Sequence, residues 1–205
     1  MIVLASGSEG RRELLRREGL PFVAISSGVE EPPPSPAESA WPDVYTRRLA
    51  RDKAMAVGAR LGAIPSLAES VRAGAPPPLV LGCDTCIHVD GAILGKPRDA
   101  RQAAGFLRTL AGREHRVISG LCVIDAHTGS VHETSVESTV RVRRMSSNVL
   151  RDYLRSGEWA GAAGGYRVQG KGARLIERIH GSHSNVVGLP LEALYGILQQ
   201  TDTLE

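Results

Sequence analysis

Leu79-Val80-Leu81-Gly82-Cys83-Asp84-Thr85-Cys86-Ile87-His88-Val89 reads as a strand with a carboxylate set inside it. Leu79 to Leu81 begins the extended apolar run and Thr85 to Val89 continues it. Asp90-Gly91 then signals a hairpin turn, with Ala92 to Leu94 returning. An ionised side chain in such a strand must meet a cation or an open cleft, because burying it unpaired costs several kcal/mol. The alternative is a strand-end aspartate that accepts backbone hydrogen bonds.

Working outward, Ile2 to Ala5 is a short buried strand, followed by a Ser-Gly-Ser turn and a helix from Glu9 to Arg17. Pro21 to Ile25 reads as a second strand, and the proline-rich stretch Pro32 to Pro36 as an exposed loop. Asp43 is the expected cap of a helix to Leu61, with Leu49, Ala50, Ala54, Val57 and Leu61 as its apolar stripe. Ile64 to Pro78 reads as an inserted surface loop. Downstream, Asp99 caps a helix to Leu110, and Arg116–Ile124 and Val131–Val142 are long strands joined near Gly129. Ser146 or Ser147 starts a helix to Arg155, a glycine-rich tract runs from Gly157 to Gly172, Arg174–Ile179 is a strand, and Pro190 starts the last helix. Strands and helices mix without a strict βαβ rhythm, so a mixed α/β sheet is expected rather than a Rossmann domain.

The chain has 205 residues, 42% of them hydrophobic, enough for a sizeable core. A net charge of +3 and 4% aromatic residues give neither the basic surface nor the stacking platform of a nucleic-acid module. No apolar run is long enough to cross a bilayer, and Met1 to Ala5 does not resemble a signal peptide, so the expected location is the cytoplasm. Cys83 and Cys86 have the spacing of half a zinc site, but no second pair follows. Residues three apart on a strand face opposite ways, so with Cys122 they read as small buried thiols.

Besides Asp84, other residues break their local pattern. Lys53 falls inside the apolar stripe between Leu49 and Val57, either snorkelling at its edge or aiming its amine at an anion. Ser6-Gly7-Ser8 with Arg11 and Arg12 is either a serine cap with solvated arginines or a phosphate cradle at a helix N-terminus. Gly95-Lys96-Pro97 is not a Walker loop, yet it sets a lysine on a rigid turn. Together these supply one carboxylate and three cations, as a polyphosphate–metal substrate requires.

The sequence resembles the Maf family nearly end to end. The resemblance is carried by Leu4-Ala5-Ser6-Gly7-Ser8 with Arg11, Leu49-Ala50-Arg51-Asp52-Lys53-Ala54, Gly82-Cys83-Asp84-Thr85, Leu94-Gly95-Lys96-Pro97-Arg98-Asp99, Val168-Gln169-Gly170 and Asn185-Val186-Val187-Gly188-Leu189-Pro190-Leu191. It implies one domain over residues 1–205: a mixed, long, twisted α/β sheet with flanking helices, in two lobes around a deep cleft, like inosine triphosphate pyrophosphatases. It implies hydrolysis of a nucleoside triphosphate to monophosphate and pyrophosphate with a divalent metal such as Mg, Mn or Co. Asp84 matches the catalytic aspartate and a metal contact, Arg11, Lys53 and Lys96 the phosphate-binding cations, Ser6 and Ser8 the phosphate turn, and Glu31 a second acidic metal contact. A homodimer is a family expectation.

Three positions that sort substrates in the family correspond to Gly10, Thr85 and Gln169. Thr85 and Gln169 match the dTTP/UTP group, which carries an arginine where Gly10 stands; the 7-methyl-GTP group has Trp and Glu at the first and third positions. A glutamine amide accepts from N3–H and donates to O4 of thymine or uracil together. Further departures are Glu9 in place of a proline and Ala162 in place of a lysine, so the arginine at position 10 and the lysine at 162 are both missing, with Arg12 a candidate to compensate. These lost cations leave two alternatives: a nucleotide-binding regulator of division with little turnover, or a pyrophosphatase for modified or other nucleotides.

Overall fold

A computed structural model describes residues 1–65, 69, 74 and 77–201. Most of the expected Ile64–Pro78 insertion lies outside the described residues. A sheet of seven strands carries the fold, in the order β2-β1-β3-β5-β6-β7 with β4 beside β3. The strands are β1 (Ile2–Leu4), β2 (Phe22–Ala24), β3 (Leu79–Val89), β4 (Ala92–Leu94), β5 (Glu114–Asp125), β6 (Val131–Val142) and β7 (Ile176–His180). β1 runs parallel to β2 and β3, and all other pairings are antiparallel. The sheet is mixed, as expected.

Helices cover both faces: α1 (Glu9–Arg17), α2 (Pro36–Ala40), α3 (Pro42–Gly58), α4 (Ala100–Leu110), α5 (Ser147–Arg155), α6 (His183–Val187) and α7 (Leu191–Gln200). One face is covered by α3, whose Ala50, Ala54 and Val57 pack on Val3, Val80 and Cys122. The other face carries two separate apolar clusters. Leu15 of α1 and Leu194 and Leu198 of α7 meet Leu81 and Leu121 in one, while Leu107 and Leu110 of α4 and Leu150 of α5 meet Val117 and Val140 in the other. Among the described residues no helix is long and apolar enough to cross a membrane.

Two glycines let α3 lie directly on the strands. A Cβ at Gly82 would sit 2.0 Å from the Ala50 carbonyl oxygen, and one at Gly120 2.3 Å from the Thr46 carbonyl. The same glycines bring Lys53, on the inner side of α3, down to the level of Asp84. β1 pairs with β3 only over Leu79–Leu81, and β4 only over Ile87–Val89. Between them, Gly82 to Cys86 has no strand on that edge among the described residues, and a cleft opens there.

Several local expectations need correction. Asp43 does not cap α3: the helix starts at Pro42, Trp41 holds the cap position, and Asp43 pairs with Arg47 at 3.0 Å. A proline at the first helical position needs no N–H, so the helix opens on Pro42 and the cap falls on Trp41, two residues before Asp43. α3 ends at Gly58 rather than Leu61, which begins a separate 3-10 turn. The proline-rich stretch is not all loop, because Pro36 opens α2 behind a Ser35–Glu38 capping box. β5 begins at Glu114 and not Arg116, and β7 at Ile176 because Lys171–Leu175 forms a 3-10 turn. The short helix α6 was not anticipated.

Candidate active site

The cleft has a volume of about 550 Å³. Its walls come from the Ser6–Arg11 turn, the Ser26–Glu31 loop, Lys53, Asp84–Thr85, Lys96 and the Gly161–Gln169 segment. Asp84 is on the α3 side of β3, where strand alternation puts it opposite Cys83 and Thr85. It is buried, at 6% exposure, and receives a 2.5 Å hydrogen bond from Lys53 Nζ. Lys53 is itself buried and donates also to Glu31 Oε1 at 2.7 Å. Lys96 Nζ donates to the other Glu31 oxygen at 2.7 Å. Asp84, Lys53, Glu31 and Lys96 thus form a continuous run of alternating charge. The lysine does not snorkel, and the aspartate is not a backbone acceptor at a strand end.

Burial alone would raise the Glu31 carboxyl, but the ammonium groups of Lys53 and Lys96 outweigh it and hold it at about 2. Burial, then the charges of Asp84 and Glu31, push the Tyr45 hydroxyl up to about 12. Tyr45 stays neutral and donates to the Pro32 carbonyl at 3.1 Å, fixing the loop that carries Glu31. A carboxyl whose folded value lies below its unfolded one contributes stability above the unfolded value, and that contribution is lost as pH falls through the folded one. Between pH 4.5 and about 2, wild-type protein is therefore expected to lose stability more steeply than Glu31→Gln. Urea midpoints across that range test this; parallel curves would remove Glu31 as the cause.

On the other side of the cleft, Ser8 holds the cap position of α1 without a side-chain capping bond. Ser6 Oγ accepts from Ser8 N at 3.2 Å and from Arg11 Nη1 at 2.9 Å. Arg11 is buried, and also donates to the Gly188 carbonyl at 2.7 Å and to Thr85 Oγ1 at 3.2 Å. Thr85 Oγ1 is shared further with Ser119 Oγ at 2.8 Å. This hydroxyl is thus tied into the wall. Arg12 does not serve as a compensating cation: it pairs with Glu9 at 3.4 Å and is not among the residues that line the cleft.

Gln169 sits where a side chain at position 10 would be. A Cβ on Gly10 would lie 2.6 Å from Gln169 Nε2. The glycine therefore lets the amide rest on the first turn of α1, bringing Gly10 and Gln169 together. The turn bearing Gln169 is built by residues that sequence reasoning missed. Glu158 accepts from Lys171 N at 3.0 Å and Gly172 N at 3.2 Å. Arg167 donates to the carbonyls of Glu158 at 3.0 Å and Ala160 at 2.8 Å. These bonds go to main-chain atoms, so no side-chain pattern announces them. Gly188, within the Asn185–Leu191 motif, is another such residue. Its carbonyl accepts from Arg11, Cys83 and Thr85. Its φ of 121° suits only glycine. Asn185, fully buried, anchors α6 to the Val117 carbonyl at 3.1 Å and to Ser138 Oγ at 3.0 Å.

Cys83, Cys86 and Cys122 are free and buried. Burial raises the Cys83 thiol and pushes the other two up to about 12.

The sequence matches the family described as Maf-like protein over residues 1–201. A dTTP/UTP pyrophosphatase of Pelotomaculum thermopropionicum is 38% identical over 97% of this chain and 95% of its own. One of Roseobacter denitrificans is 40% identical over 97% of this chain and 96% of its own. A nucleoside triphosphate pyrophosphatase of Anaplasma phagocytophilum is 38% identical over 96% and 93%. Among solved structures, a nucleoside-triphosphatase (dITP/XTP pyrophosphatase) from Mycobacterium abscessus shares 16% identity over 71% of this chain and 76% of that one, with a TM-score of 0.41, too slight a likeness to bear on the fold. With the match running the length of the sheet and both walls of the cleft, this chain belongs to the Maf family.

Proposed function

We propose that the protein hydrolyses nucleoside triphosphates to monophosphate and pyrophosphate, with dTTP and UTP as preferred substrates. The observation that carries this reading is the buried Lys53 bridging Asp84 and Glu31 on one wall of the cleft, opposite the Arg11–Ser6 turn. The names carried by the relatives from Pelotomaculum and Roseobacter agree with it. In this reading the chain is one domain whose two lobes face each other across the cleft.

A water oxygen attacks the α phosphorus, and the bond from that phosphorus to the oxygen bridging to the β phosphorus breaks. The bond pair leaves with pyrophosphate, and Asp84 takes the proton of the water. The Lys53 hydrogen bond orients Asp84 for that transfer. Arg11, Lys53 and Lys96 stabilise the negative charge that grows on the leaving group. Ser6 and Ser8 hold phosphate oxygens at the start of α1, where free N–H groups assist.

Among the described residues no group of three or more His, Cys, Asp or Glu side chains is placed to hold an ion. A pair of carboxylates suits a hard cation that keeps waters and substrate phosphates as its other ligands. Glu31 and Asp84 meet that requirement for Mg, Mn or Co. Such a cation would neutralise phosphate charge when bound. Gln169, exposed at the mouth, offers its amide donor and acceptor to a pyrimidine edge.

The test is pyrophosphate release from dTTP, UTP, CTP, ATP, GTP and 7-methyl-GTP with Mg, Mn or Co. dTTP and UTP should turn over fastest. Binding without release from any of them would overturn the enzymatic reading in favour of a regulator, and preference for a purine would overturn the base assignment.

A further inference from the structure

The charged groups lining the cleft fall into two sets. Asp84, Lys53, Glu31 and Lys96 are consumed in one another's ion pairs and are formally neutral together. Glu9, at the rim, is taken up by Arg12 and Arg16. Arg11 and Arg167 differ. Arg11 bonds only to the Gly188 carbonyl and the hydroxyls of Ser6 and Thr85. Arg167 bonds only to the carbonyls of Glu158 and Ala160, while the Glu158 carboxylate is spent on Lys171 N and Gly172 N. Among the described residues neither guanidinium has a carboxylate partner.

We propose that Arg167 is a second uncompensated cation of the cleft and binds the phosphate anion of the substrate. The assignment rests on the pyrophosphatase reading above and adds a residue to it. Main-chain carbonyls hold Nε and Nη2 and so fix the guanidinium plane, leaving Nη1 for a ligand. Gly161, which also lines the cleft, places no side chain in the way: a Cβ there would be 3.6 Å from Arg167 Nη2. A half-buried guanidinium without a counter-charge attracts an anion more strongly than a neutral base edge does. Beside the ion-paired lysines, Arg11 and Arg167 add the positive potential that draws a triphosphate in.

The experiment is calorimetric binding of inorganic pyrophosphate to wild type, Arg167→Gln and Arg167→Lys, beside pyrophosphate release from dTTP by each. Arg167→Gln is expected to weaken pyrophosphate binding about tenfold and raise KM with kcat little changed, as loss of one charge-assisted contact would. Arg167→Lys keeps the charge but not the fork that the two carbonyls orient, so it should lose clearly less binding than Arg167→Gln without matching wild type. Equal losses in both variants would make Arg167 a tether of its own loop, and unchanged binding in both would remove it from the site; either overturns the assignment. Wild type that binds pyrophosphate but releases none from any nucleotide would sink the pyrophosphatase reading instead, and the binding series would still decide the role of Arg167.

Discussion

Asp84→Asn is expected to cut kcat about a thousandfold while leaving a folded protein, since a positioned proton acceptor contributes about 10²–10⁴ in rate. The substitution keeps shape and one oxygen toward Lys53, and Lys53 keeps its 2.7 Å bond to Glu31. The buried ammonium is therefore not stranded without a counter-charge, the case that would cost most stability. What disappears is the negative charge able to take a proton from water. Arg11 and Lys96 are untouched, so the nucleotide should still bind, with KM raised to the extent that the cation loses one of its two carboxylates. Pyrophosphate release under saturating dTTP reads the rate, and a thermal melt reads the fold. A folded variant within about tenfold of wild type would place the proton acceptor elsewhere.

Gly82→Ala should be strongly destabilising. The added carbon would stand 2.0 Å from the Ala50 carbonyl oxygen and 2.9 Å from the Ala54 backbone nitrogen, neither of which is a flexible side chain. Helix α3 must lift from β3 or the strand must bend. Overpacking of this kind costs about 1–3 kcal/mol, and Tm is expected to fall by about 5–10 °C in a chain of this length. Because the displaced helix carries Lys53, activity should fall with stability, even though position 82 touches no substrate. Gly120→Ala, with its new carbon 2.3 Å from the Thr46 carbonyl, should behave alike. A melting point within about 2 °C of wild type in both would mean that the helix–sheet contact is looser than its geometry.

The long strands and the apolar stripe of α3 were legible because period-2 and period-3.6 patterns are local. Asp84 and Lys53 stood out for the same reason: each interrupts a pattern that burial otherwise dictates. The start of α3 was misread because Asp43 looked like a cap while the adjacent Pro42 was already suited to the first helical position. Helix α6 escaped because it has only 5 residues and its Asn185 is anchored to Val117 and Ser138, far away in the chain. The partners of Glu31 could not be seen: it lies on a loop, and Lys53 and Lys96 reach it from segments 22 and 65 residues away. Arg12 and Arg11 are chemically alike and adjacent in the chain. The turn of α1 alone decides that Arg11 is buried and Arg12 half-solvated.

The contact between Gly10 and Gln169 bears on how the amide is aimed. Any β-carbon at position 10 is incompatible with the present pose of the amide. The atom in the way is the tip of a flexible side chain, so a residue with a β-carbon at position 10 would swing the amide to another rotamer. Bulk at position 10 thereby sets the direction in which Gln169 presents its donor and acceptor.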